Sequence, residues 1–230
     1  MNTDGIDPSG SNILIRNIKI TSYDDSIAVK PANGGNVIAK CAENITAHNL
    51  TTWMGLGMTI GSVPPNANFA CIRNVTFKDI MLYTPIKSVY VKTNPGHVGY
   101  GIIENILYED MTIIEPIWWN IYIGPQQQYQ PDGTGPGCML YPLLTSCDTQ
   151  PRITVRNITL KNIYSIGGYL VGIVRCNATN PCTNINFENV RHDGFFASQK
   201  NGFITENVYG TVINSHPDPH FNTNSTAAEI

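Results

Sequence analysis

Asp24 and Asp25 stand side by side in the stretch SYDDSIAVK, at the front of a short apolar run, and Asp4 lies 21 residues upstream in NTDGI. Adjacent like charges repel, and Asp is a poor strand residue. Such a pair serves either a turn, where its carboxylates bond nearby backbone N–H groups, or a site that needs acids close together. Asp4 and Asp25 each lie two positions before an Ile, Ile6 and Ile27. If those 21 residues make one circuit of a repeating backbone, the two acids stack on one face and Asp24 joins them. Turn chemistry accounts for one Asp more readily than for three together. Clustered carboxylates suit glycoside hydrolysis: one carboxylic acid protonates the leaving oxygen, and a carboxylate activates water or attacks the sugar. Their mutual repulsion raises at least one pKa and keeps a proton available.

The elements that must position these acids follow from a repeat. NILIRNI, NITAHNL, NVTFKDI, NILYEDM, NITLKNI and NINFENV begin at Asn12, Asn44, Asn74, Asn105, Asn157 and Asn184. Successive gaps are 32, 30, 31, 52 and 27 residues, the longest carrying an insertion. SIAVK, MTIG, VYVK and IYIG end at Lys30, Gly61, Lys92 and Gly124 with the same spacing. Each unit thus holds at least two short alternating strands, one face buried and one wet. A strand-only period near 31 residues predicts an all-β parallel β-helix, each repeat one coil of the solenoid. A propeller blade needs four strands in about 40 residues or more and does not fit. The leading Asn is expected to bond backbone at a tight turn. Residues 1–214 read as a single domain with a loop insertion at 125–150, and 215–230 as a polar tail.

Composition limits the function classes. Hydrophobic residues make up 42% and charged residues 13%, which excludes a disordered chain. A net charge of −3 opposes nucleic-acid binding, and no apolar run reaches the roughly 18 residues of a membrane span. The six Cys include two close pairs, Cys138/Cys147 and Cys176/Cys182, which read as disulfides and imply an oxidising, extracellular location. No CxxC or suitably spaced His favours zinc. Cys41 and Cys71 each precede a repeat Asn by three residues and should stack on neighbouring coils, as a disulfide or as two buried thiols. Six N-x-T sequons point the same way, to an extracellular location, though three of them, at Asn44, Asn74 and Asn157, begin on leading repeat Asn residues and are discounted as glycosylation sites.

Asn2-Thr3-Asp4-Gly5, Asp24-Asp25, Gly55-Leu56-Gly57 with Ile60-Gly61-Ser62, and Tyr90-Val91-Lys92 occur in that order. This set resembles the polygalacturonase-like hydrolases, glycoside hydrolase family 28, whose pattern runs N-T-D-G, D-D, G-H-G with I-G-S, then R-I-K. The resemblance covers most of the chain. It implies a right-handed parallel β-helix, a secreted monomer, and inverting hydrolysis with no metal and no cofactor. Its polysaccharide substrate would be galacturonan or rhamnogalacturonan. By carry-over Asp24 is the general acid, and Asp4 and Asp25 hold and activate the water. Asn2, Gly57, Tyr90, Lys92 and Tyr129 would contact substrate. The chain departs from the pattern at Leu56, where the family has His, and at Tyr90, where it has Arg. Leu neither hydrogen-bonds nor titrates, and Tyr cannot pair a carboxylate as an Arg fork does. Both changes weaken polygalacturonate as the substrate; the rhamnogalacturonan-cleaving branch also lacks that His.

Two rival functions remain: a catalytically impaired β-helix that binds carbohydrate, and a Ca²⁺-dependent lyase using the same acids. His97 reads as a surface-loop residue. Of Trp118 and Trp119, strand alternation lets one at most face a cleft. The N-T-D-G motif follows Met1 directly, so N-terminal coils are expected to be missing from this chain.

Overall fold

The computed structural model describes residues 3–32, 41–63, 69–94, 100–127, 138–143, 147–168, 170–194 and 202–223. Seven long strands pair in parallel in the order β1 (Ser11–Thr21), β3 (Ala42–Trp53), β5 (Phe69–Tyr83), β7 (Tyr100–Ile114), β9 (Ile153–Ile166), β11 (Cys182–Asp193) and β13 (Val208–Ile213). A second parallel sheet stacks the short strands β2 (Ile27–Val29), β4 (Met58–Val63), β6 (Val89–Thr93), β8 (Trp119–Pro125), β10 (Leu170–Arg175) and β12 (Phe203–Glu206). The chain alternates between the sheets and always returns one strand further on. This is the expected solenoid, and the described residues contain no helix.

Why these residues wind this way is visible in the backbone angles. The repeat Asn residues 12, 44, 74, 105, 157 and 184 all have φ between 55° and 61°. Five positions later Asn17, Asn49, Asp79, Asp110, Asn162 and Asn189 do the same. Asn and Asp tolerate this left-handed conformation better than other residues with a side chain, so each long strand is bent at both points. The leading Asn differs from expectation in its bonding. Its side chain reaches the next coil: Asn44 donates to Asn12 at 3.3 Å, Asn105 to Asn74 at 3.1 Å and Asn184 to Asn157 at 2.9 Å. An amide both donates and accepts, so identical residues can bond in an unbroken ladder.

Between the two sheets lies a ladder-like core. Ile45, Val75, Ile106, Ile158 and Ile185 are in register and fully buried, as are Ala47, Phe77, Tyr108, Leu160 and Phe187. Each such apolar side chain contributes roughly 1.5–3 kcal/mol by leaving water. Cys41–Cys71 is a disulfide between adjacent coils with a Cα separation of 4.5 Å, and Cys138–Cys147 and Cys176–Cys182 are bonded as expected. At the far end His216 bridges to Arg191 and Asn222 to Tyr209.

Candidate active site

Asp24 and Asp25 lie on the turn that carries the chain from β1 into β2, and Asp4 lies in the segment before β1. After β1 ends at Thr21, residues 23 and 24 form a bend before β2. Ser22 Oγ donates to the Asp24 carbonyl at 3.1 Å and shares a buried bond of 3.3 Å with Ser26 Oγ. Neighbouring coils grip the same turn: the Leu56 amide donates to the Asp24 carbonyl, and the Gly5 amide to the Asp25 carbonyl, each at 2.9 Å. This bend lets two adjacent carboxylates serve one site, which a straight strand forbids.

Asp4, Asp24 and Asp25 each place a carboxylate oxygen within 4.8 Å of the others. Asp4 and Asp25 do lie on adjacent coils, joined by the Ile6–Ile27 bridge. Asp25 is only 1% exposed. Its oxygens accept from Thr59 Oγ1 at 2.7 Å and from Lys92 Nζ at 2.8 Å. Lys30 Nζ lies 3.6 Å from Asp4, 3.7 Å from Asp25 and 3.8 Å from Asp7. Asp24 is half-buried and accepts the Asp25 N–H at 2.9 Å, so the turn bond and the acid cluster coexist. Burial raises its pKa above the ordinary carboxylate value, and the charges of Asp25 and Asp4 raise it further. The Asp25 N–H and Lys92 oppose that shift. Asp4 Oδ1 is buried with no hydrogen-bond partner among the described residues. Such an atom calls for a water or ligand.

The remaining candidates are placed variously. Lys92 is buried, bonded to Asp25, and 4.9 Å above the Tyr90 ring. Tyr90 is buried, its hydroxyl accepting the Gln127 N–H at 2.8 Å. Gly57 has φ +60°, and a Cβ there would meet the Ser88 carbonyl oxygen at 2.5 Å, so glycine is required for coil packing. Leu56 packs against the buried cluster formed by Tyr90, Trp119, Tyr122 and Ile173. Trp119 is buried, and Trp118 is partly buried with its Nε1 on Gln127 Oε1 at 3.1 Å. Asn2, His97 and Tyr129 lie outside the described residues.

Four residues of the site were not singled out from sequence. Lys30 was visible only as a strand end, and Thr59 as an alternating strand residue. Asp7 lies three positions past Asp4 in the same segment; burial raises its pKa, Lys30 opposes that and Asp4 adds to it. Lys87 is buried, and burial together with Lys92 pushes its amine down to about 7, against the pull of Asp25 and Asp24. No local motif marks Lys87; coil register alone brings it to the site.

A parallel β-helix with three clustered carboxylates, two of them on one strand-to-strand turn, defines a class of protein, and comparison with known families resolves it. The model of glycosyl hydrolases family 28 matches residues 1–210, and the chain belongs to that family. It is 28% identical to exopolygalacturonase X-1 of Emericella nidulans, over 92% of this chain and 48% of that protein. It is 29% identical to polygalacturonase QRT2 of Arabidopsis thaliana, over 83% of this chain and 38% of that protein. A probable exopolygalacturonase C of Aspergillus terreus is 26% identical over 100% of this chain and 50% of its own length. The chain therefore spans about half the length of these curated relatives or less. No solved structure matches it significantly.

Proposed function

We propose that this protein hydrolyses glycosidic bonds of pectin-type acidic polysaccharide outside the cell, with galacturonan the first substrate and rhamnogalacturonan the second. The observation that carries the reading is the clustering of a half-buried Asp24, its pKa raised by burial and by Asp25 and Asp4, with the unpartnered buried oxygen of Asp4. Asp24 gives its proton to the leaving oxygen. Asp4 and Asp25 hold a water and take its proton as it attacks the anomeric carbon. Lys30 and Lys92 offset the negative charge gathered there. Family membership, the polygalacturonase names of the relatives and the three disulfides support the substrate class and a secreted location.

Carboxylate spacing and family point to different stereochemistry. Inverting enzymes usually separate their acids by about 6.5–9.5 Å and retaining ones by about 5–5.5 Å, whereas these oxygens lie within 4.8 Å. We favour inversion, which the family resemblance implies and in which Asp4 and Asp25, two acids rather than one nucleophile, are left to hold a water. The anomer first released from an oligogalacturonate, read by proton NMR, decides this: the inverted anomer is expected, and the retained one overturns the water-holding role.

A second reading, a β-helix that binds carbohydrate without cleaving it, is favoured by Leu56 and Tyr90 at the two departures from the family pattern. Reducing ends released from polygalacturonate and rhamnogalacturonan, by the protein and by Asp24→Asn, separate the two. Activity on either polymer that disappears in the variant supports hydrolysis. A folded protein inert on both supports the binder. The acids are also close enough to share a cation, so the same assay with a chelator tests the lyase chemistry. Loss of activity there, with an ultraviolet-absorbing product, would replace hydrolysis by elimination.

A further inference from the structure

Counting back two residues from the register partners Ile27, Met58 and Val89 places Asp25, Leu56 and Lys87 in one column across three coils. Lys87 thus stands two coils along from a catalytic-site acid, directly beyond the apolar Leu56. Its side chain is 4% exposed. Its Nζ lies 4.8 Å from the centroid of the Tyr90 ring and 5.6 Å from that of Tyr122. The opposite neighbour of Tyr90 is Lys92, 4.9 Å from the same centroid. Two ammonium groups therefore share one aromatic ring. Lys92 has a counter-ion in Asp25, and Lys30 has three nearby acids. Among the described residues no carboxylate lies within 4 Å of Lys87, although Asp24 and Asp25 are near enough to act on it electrostatically.

A lysine this buried, with no carboxylate within 4 Å among the described residues, is an expensive arrangement. Cation–π attraction offsets part of the lost hydration, but a burial of this depth ordinarily comes with an anion. The three acids also repel any anionic sugar that approaches them. Both costs fall together if the ligand brings its own carboxylate to this amine. We propose that Lys87 is a specificity-determining residue that binds the carboxylate of a uronic-acid unit, beside the acid cluster and against Tyr90. This rests on the hydrolase reading above and adds which residue selects the charged form of the sugar. The groups facing Lys87 are Lys92, Asp24, Asp25 and the two tyrosines. Burial first and Lys92 second lower the charged fraction of the amine and the two acids raise it, so selection for a uronate weakens as pH rises through about 7.

The test measures binding in the Asp24→Asn protein, which is not turning over, by calorimetry with trigalacturonate and with its fully methyl-esterified form. Lys87→Met is expected to weaken the acid by about tenfold or more and to leave the ester unchanged. Lys87→Arg is expected to keep the preference and to lose its decline between pH 6 and pH 8, since Arg stays charged. Equal losses for acid and ester, or no loss, would overturn the role of Lys87 while leaving the hydrolase reading intact. Failure of the parent protein to bind either form would instead overturn both. Steady-state kinetics in the Asp24 background of the natural chain give an independent readout. Lys87→Met should raise KM for polygalacturonate with little change in kcat, and a fall in kcat alone would count against the proposal.

Discussion

A carboxyl that must give up a proton has to hold one at the working pH. Asp24 is raised by burial and by Asp25 and Asp4, so its protonated form persists above the ordinary Asp value of about 3.9. Activity should fall on the alkaline side as Asp24 ionises, with the limb of the kcat profile above that value. Asp24→Asn should lower kcat by about 10²–10⁴-fold. A limb at the ordinary value would assign the acid elsewhere. Lys87 yields a stability prediction with the opposite sense of charge. Its folded pKa of about 7 lies below the ordinary 10.5, so the unfolded chain binds the proton more tightly. That penalty is complete below pH 7 and vanishes as pH rises through 10.5. Lys87→Met should therefore raise the melting temperature, by more at pH 5 than at pH 9. Stability and substrate selection would then oppose each other at one residue. The acids were legible in sequence because Asp24 and Asp25 are adjacent and Asp4 repeats their offset to Ile. Lys87 was not, since nothing near it in the chain marks it; register over two coils does.

At the scale of the element, the strand-to-strand turn does the positioning. Its carbonyls are tied on both sides, and Gly55 lets the next coil approach closely enough to tie them. Gly55→Ala would force a methyl against the Asp24 carbonyl oxygen and Ser22 Oγ, each at 2.5 Å, with φ at +69°. We expect a loss of about 2–4 kcal/mol, visible as a lower denaturant midpoint, and reduced activity through displacement of Asp24. An unchanged midpoint would mean the coils can separate there without cost. The strands themselves were readable from their alternation and their 31-residue period. The bend at Tyr23–Asp24 was not, because it is set by bonds to Leu56, Gly57 and Gly5 on other coils. The Asn ladder was half-readable: the turn position follows from the residue type, but the inter-coil bonding needs the stack.

For the whole molecule, stability is a sum over neighbouring coils. Cys41–Cys71 closes a circuit of 30 residues, which by loop-closure entropy contributes about 3–4 kcal/mol. Replacing both Cys by Ala should lower the melting temperature by about 10 °C, and no change would show that the ladder core alone fixes these two coils. The coil from Asn105 to Asn157 is 52 residues long, yet Asn157 still bonds Asn105 at 3.0 Å. Gln126 and Gln127, which follow β8 in this coil, reach Ser62 and Tyr90. Axial spacing and circuit length are therefore independent variables in this architecture. On the proposed hydrolase reading, a lineage could lengthen or recompose a coil beside the acids and so change which polymers fit, while the acid cluster stays in register. Adaptation to a new wall polymer would then be written in insertions rather than in catalytic replacements.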